Sequence, residues 1–130
     1  MVSMQITARK KEDKMKFSAL VVVVSDKDEE AAIKVAKNAG AGSVTILHGR
    51  SIGLEEKKVF FGLTLEENVS ALLFILPRKL SLKVMRALRQ AFDLDNPESV
   101  GYAFTLPLSH VAGLDTQELH HFEDDIKTML

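Results

Sequence analysis

Two apolar runs constrain this chain more than anything else in it. Residues 17–25 read FSALVVVVS and residues 69–76 read VSALLFIL. Side chains alternate between the two faces of a strand. Four consecutive valines therefore place apolar groups on both faces, Val21 and Val23 on one and Val22 and Val24 on the other. Leu72, Phe74 and Leu76 oppose Leu73 and Ile75 in the same way. Strands of this kind sit in the middle of a sheet that is covered on both sides. A chain of 130 residues has room for one domain core, so one face takes the chain's own helices and the other needs a different cover.

The remaining elements follow from local signals. Asp26 with Glu29 three residues on is a capping-box pattern that starts a helix. Ala32, Val35, Ala36 and Ala39 form its apolar stripe, and Gly40 stands where a C′ glycine ends it. Residues 43–47 (SVTIL) predict a short second strand. Residues 48–58 (HGRSIGLEEKK) carry two glycines and five charges and predict a loop. Residues 59–66 (VFFGLTLE) and 69–76 predict an antiparallel hairpin turning at Glu67 and Asn68. Pro77 ends it. Ser81 caps a second helix that runs to about residue 92, with Leu82, Met85, Leu88 and Phe92 as the buried stripe. Residues 93–99 contain Asn96-Pro97 and predict a loop. Residues 100–106 (VGYAFTL) predict the last core strand, stopped by Pro107, with Tyr102 packed in the core. Beyond Asp115, Leu119, Phe122, Ile126 and Met129 fall at helical spacing and predict a short amphipathic C-terminal helix.

The order is β-α-β, a long loop, then β-β-α-β. Two crossovers onto one sheet make an α+β ferredoxin-like βαββαβ sandwich with both helices on one face. Its other face would present an apolar surface too large for a monomer. Sister subunits are the simplest cover, which predicts a homo-oligomer.

Composition narrows the function. With no cysteine there is no disulfide framework, thiol nucleophile or zinc finger. A net charge of −1 excludes a generally basic nucleic-acid binder. No apolar run approaches the ~20 residues of a membrane span, and the first 16 residues lack a signal-peptide apolar stretch. The expectation is a soluble, cytoplasmic protein. Charge collects at the ends. Residues 1–16 form a basic arm of net +3, residues 115–130 an acidic tail of net −4, and residues 17–114 the neutral folded domain.

The run Gly40-Ala41-Gly42-Ser43-Val44-Thr45-Ile46-Leu47-His48-Gly49-Arg50-Ser51-Ile52-Gly53 resembles the second strand and following loop of PII-type signal-transduction proteins. Glu55 or Glu56 followed by Phe60-Phe61-Gly62 resembles the far end of that loop in the PII-like branch. So does Gly101-Tyr102-Ala103-Phe104-Thr105-Leu106-Pro107-Leu108 running into Val111-Ala112-Gly113. The resemblance covers residues 17–114. It implies a homotrimer of ferredoxin-like subunits whose sheets line the interior. It also implies adenine nucleotides (AMP, ADP or ATP) bound in clefts between subunits, and a mobile T-loop that docks on a protein target such as a transporter or an enzyme. Residues 48–58 would be a shortened T-loop and residues 95–101 the nucleotide-facing B-loop. Here that loop reads DNPESVG, with one glycine and no lysine. Backbone N–H groups and positive charge hold phosphates, so AMP, another small anion and no nucleotide stand as alternatives to ATP.

The anion candidates follow. Gly49 and Gly53 permit an amide nest, Arg50 supplies a guanidinium fork, and Ser51, Lys58 and Gly101 complete the ligand set. Ile52, Leu54, Glu55, Glu56 and Lys57 are the partner-facing loop. Arg78-Lys79 precedes the second helix, and Arg86 and Arg89 read as its solvent side. His120 with Asp124, or His121 with Asp125, could make a weak metal site at i,i+4 spacing. Glu55-Glu56 and Glu66-Glu67 carry no sign of the burial that tunes acid–base pairs, and no catalytic motif is present. The expectation is a regulator of a partner protein, not an enzyme, with no resident cofactor and no direct membrane insertion. The alternatives are a divalent-metal-binding stress protein on the same trimeric scaffold, or an oligomeric interaction module without a ligand.

Overall fold

A computed structural model of the chain describes residues 16–54, 59–60, 63–64, 66–99 and 101–114. Strand β1 (Phe17–Ser25) leads through a 3-10 turn (Asp26–Asp28) into helix α1 (Glu29–Asn38). Strand β2 (Thr45–Ile52) follows, then two short strands, β3 (Val59–Phe60) and β4 (Leu63–Thr64). The long strand β5 (Glu66–Pro77), helix α2 (Arg78–Ala91) and strand β6 (Tyr102–Leu108) complete the chain order. The four long strands form one sheet in the order β2-β5-β1-β6, every pair antiparallel, and β3 pairs with β4 alone. Apart from that small hairpin the order is βαββαβ, the expected ferredoxin-like α+β arrangement.

The valine run lies in the sheet's interior as expected. Leu20 opposes Phe74, and Val22 opposes Leu72, across the β1–β5 ladder. With Val24 and Leu76 they meet Ala32, Ala36 and Ala39 of α1 and Leu80, Val84 and Leu88 of α2 in a single buried cluster. The opposite face keeps several large apolar side chains exposed. Leu47 is 60% exposed, Tyr102 56%, Leu106 50%, Phe104 40% and Ile75 38%. Tyr102 is therefore not a core residue. It stands on the open face, stacked beside Phe104 at a ring-centroid distance of 6.4 Å.

Several boundaries differ from expectation, each for a physical reason. Strand β2 continues five residues past Leu47, so His48 to Ile52 form ladder pairs with Ser70 to Glu66 instead of a loop. All eight residues of β2 are exposed. Polar and charged residues suit an exposed edge strand as well as a loop, and composition cannot tell the two apart. Glu67 and Asn68 are likewise inside β5, where they pair with Ser51 and Arg50. The hairpin expected between residues 59–66 and 69–76 is absent. Strand β5 instead spends both its edges on β1 and β2.

The expected capping box also fails to form. Neither helical N-cap has a side-chain bond. Ser25 Oγ donates to Glu67 Oε1 at 2.7 Å, and Glu29 accepts from Ser70 Oγ at 2.8 Å, so the would-be cap groups serve the sheet. At the other end Gly40 does what its position predicts. Its φ is 118°, its N–H donates to Lys37 O, and the Ala41 N–H donates to Ala36 O, the paired bonds of a Schellman motif.

Helix α2 begins at Arg78, three residues before the expected Ser81 cap. Its buried face is Leu80, Ser81, Val84 and Leu88, leaving Leu82 48% exposed and Met85 and Phe92 at the margin of the core. Ser81 Oγ turns back to the Arg78 carbonyl at 2.7 Å. Strand β6 runs through Pro107, which opposes Ser18. Proline is tolerated there because β6 is an edge strand. Among the described residues no helix is long and apolar enough to cross a membrane. The basic arm, except for Lys16, and the segment expected to form an acidic C-terminal helix lie outside the described residues.

Candidate functional site

One end of the sheet gathers the carboxyl ends of β1 and β2 and the starts of β5 and β6. A cleft of about 230 Å³ opens there. Val24, Phe92 and Leu94 supply its apolar side, and Ser25, Asp28, Glu67 and Ser99 its polar side. Gly101 closes it at the foot of β6. A Cβ at Gly101 would stand 3.1 Å from both Leu94 Cδ2 and the Val23 carbonyl oxygen. Glycine lets this loop approach β1 closely, and a larger residue would push against the cleft wall.

The connection from α2 to β6 frames the cleft and is held by its own bonds. Asp93 takes a left-handed φ of 49°. The Leu94, Asn96 and Ser99 amides donate to the carbonyls of Arg89, Asp93 and Asn96, at 3.1, 3.0 and 2.9 Å. The Glu98 amide donates to Asn96 Oδ1 at 3.0 Å. Arg89 Nε lies 2.9 and 2.8 Å from the two Asp95 carboxylate oxygens, which raises the arginine's pKa further above its already high ordinary value. Arg89 is on the solvent side as expected, with a partner that spacing did not reveal.

A second cluster lies at the base of the segment that joins β2 to β5. Arg50 Nη1 donates to Glu66 Oε2 at 3.2 Å. His48 Nε2 and Glu29 Oε1 are 2.5 Å apart, and Ser70, fully buried, bonds the same Glu29 oxygen. The Ser70 hydroxyl, followed by His48, holds the Glu29 carboxyl below its ordinary value.

The sequence-derived ligand set is distributed unevenly over this geometry. Gly101 lines the cleft. Gly49, Arg50 and Ser51 are on β2, and neither Gly49 nor Gly53 has a positive φ, so the amide nest expected of them is not formed. A Cβ at Gly49 would meet nothing within 4 Å. Ile52 and Leu54 are exposed beside Gly53, Leu54 at 94%. Lys58, Glu55, Glu56 and Lys57 fall outside the described residues. So do His120, His121, Asp124 and Asp125. Among the described residues no group of three or more His, Cys, Asp or Glu side chains could hold a metal ion. Arg78 and Lys79 open α2, at the opposite end of the sheet from the cleft. Ser25, Asp28, Glu67, Phe92, Leu94 and Ser99 were missed. They come from three separate stretches of chain, and only the strand register brings them together.

No protein-family model matches the chain, and no curated protein matches it significantly. Solved structures do. Bacillus subtilis GlnK in complex with ATP aligns with a TM-score of 0.58 at 14% identity, over 72% of this chain and 83% of that one. CPII from Thiomonas intermedia, a nitrogen regulatory PII-like protein bound to ADP, AMP and bicarbonate, aligns with a TM-score of 0.56 at 13% identity, over 76% and 97%. A Bacillus cereus protein related to NIF3 aligns with a TM-score of 0.56 at 20% identity, over 74% of this chain but 26% of that one. The residues that resemble PII-type proteins and these structural likenesses agree: the chain has the fold of the PII and PII-like proteins.

Proposed function

We propose that this chain is a PII-like regulatory subunit. It assembles as a homotrimer through its open sheet face, binds a small adenine-containing ligand in the cleft, and passes occupancy to a protein target through the 53–65 segment. The observation that carries this reading is the position of Glu67. It lines the cleft, and it pairs in register with Ser51 on β2, two residues before that segment begins. A ligand that touches Glu67 therefore acts on the base of the segment directly. One residue on, Arg50 bonded to Glu66 ties the same two strands together.

The mechanism is a population shift. Ligand favours one arrangement of the segment, and by linkage the affinity for the target changes by the same factor. Gly101 shapes the ligand side. Ile52 and Leu54, continuing into Glu55, Glu56 and Lys57, are the partner side. The neighbouring structures, one in complex with ATP and the other bound to ADP, AMP and bicarbonate, support an adenine ligand here. The apolar open face supports self-association.

The test combines binding with hydrogen exchange. A ligand that binds the native state raises the melting temperature by mass action. ATP, ADP, AMP and adenosine are screened this way against the wild type and Gly101→Val. We expect at least one to raise the wild-type midpoint, to lose its effect in Gly101→Val, and to slow exchange at residues 50–52 and 66–68. Binding with unchanged exchange at those residues refutes the coupling. No thermal response to any of the four refutes the adenine reading.

A further inference from the structure

We infer that this cleft discriminates against polyphosphates and takes adenosine or AMP ahead of ADP and ATP, with Asp28 and Glu67 as the residues that set the preference. The inference rests on the adenine reading above and assigns its ligand class. A phosphate site needs free backbone N–H groups or positive charge. Among the described residues that line this cleft there is no cationic side chain. Its ionisable lining groups are the carboxylates Asp28 and Glu67. The loop beside it adds Asp93 and Glu98.

The two arginines nearest the strand ends and the loop are already engaged. Arg50 is held by Glu66 at 3.2 Å, and Arg89 by both oxygens of Asp95 at 2.8 and 2.9 Å. Lys27, on the 3-10 turn, does not line the cleft. Four of the loop amides are engaged too. Those of Leu94, Asn96, Glu98 and Ser99 donate to acceptors within the connection itself or the end of α2. A triphosphate placed here would meet like charge from Asp28 and Glu67.

The chemistry that remains suits a nucleoside. Carboxylates accept hydrogen bonds from ribose hydroxyls, as the acidic residue of dinucleotide-binding folds does. Ser25 and Ser99 add hydroxyls, and Phe92 and Leu94 give a base an apolar surface. The volume of about 230 Å³ is below the ~300–1,000 Å³ usual for larger ligands.

The experiment is calorimetric titration of the full chain with adenosine, AMP, ADP and ATP in magnesium-free buffer. It is repeated for Glu67→Gln and Asp28→Asn, singly and together, after circular dichroism and melting checks that each variant folds. Glu67→Gln retains an oxygen that can accept the Ser25 hydroxyl while removing the charge. We expect wild-type affinity to fall with each added phosphate. Removing both charges should raise ATP affinity about tenfold, the scale of a close charge pair partly screened by water, and move adenosine by less than about threefold on the same scale. ATP binding the wild type as tightly as adenosine overturns the inference and leaves the adenine reading standing. A preference for adenosine that the double variant leaves unchanged overturns the assignment to Asp28 and Glu67. If no adenine compound binds the wild type or any variant, both the reading and the inference fall.

Discussion

Replacing Leu47 by alanine tests the self-association on which the proposed function depends. Leu47 projects from β2 onto the open face, opposite Ala71, and is 60% exposed in the isolated subunit. Fully burying a leucine side chain is worth roughly 1.5–3 kcal/mol. Covering the exposed 60% therefore contributes about 1–2 kcal/mol per subunit. Most of that is lost when only a methyl group remains. In a trimer the loss occurs in every subunit, giving about 3–5 kcal/mol per assembly, or roughly 10²–10⁴-fold in the association constant. The subunit itself should tolerate the change, because an exposed side chain contributes little to its own fold.

Sedimentation velocity over a concentration series is the assay, with Leu82→Ala as the control. Leu82 is 48% exposed but lies on helix α2, away from the open face. The expected result is a trimer for the wild type and for Leu82→Ala, and dissociation at far higher concentration for Leu47→Ala, with unchanged circular dichroism. A wild type that sediments as a monomer throughout refutes the reasoning. So does equal behaviour of the two variants.

Two further outcomes test the interior. Leu88→Ala removes a fully buried side chain from the core cluster and should cost about 2–5 kcal/mol, against less than about 1 kcal/mol for the exposed Leu82→Ala, both read by urea denaturation. Equal costs would mean that α2 buries a different face. The Glu29 carboxyl is held below its ordinary value, first by Ser70. The unfolded chain therefore binds a proton more readily than the folded one, and the stabilisation is present above the ordinary carboxyl range and lost as pH falls through the lowered value. Ser70→Ala should flatten this acid limb of the stability–pH curve, and parallel curves for variant and wild type would contradict the assignment.

How much of this was legible in the sequence differs by element. The apolar runs identified β1 and β5 because an uninterrupted valine or leucine stretch has few other places to go in a soluble domain. Gly40 marked the end of α1 because a left-handed residue there favours glycine. The extension of β2 was not legible. His48, Gly49, Arg50 and Ser51 are polar or small, and only their pairing partners in β5 make them strand. For α2 the sequence contains two overlapping apolar stripes, 80-84-88 and 82-85-88-92. Packing against the sheet and α1 selects the first, with Leu80, Val84 and Leu88 buried and Leu82 left exposed.

The candidate site shows the same division. Gly101 could be singled out because residues 95–101 resemble the nucleotide-facing loop of PII-type proteins. Glu67 could not, because its place in the cleft depends on the register of β5 against both β1 and β2. The sequence by itself determined that β1 and β5 are the central strands and that the sheet carries two apolar faces, since those follow from the alternation of side chains along a strand. Tertiary structure decided which polar residues meet at the end of that sheet and which arginines are spoken for. Strand register and ion pairing are relations between distant segments, and no local pattern of residues encodes them.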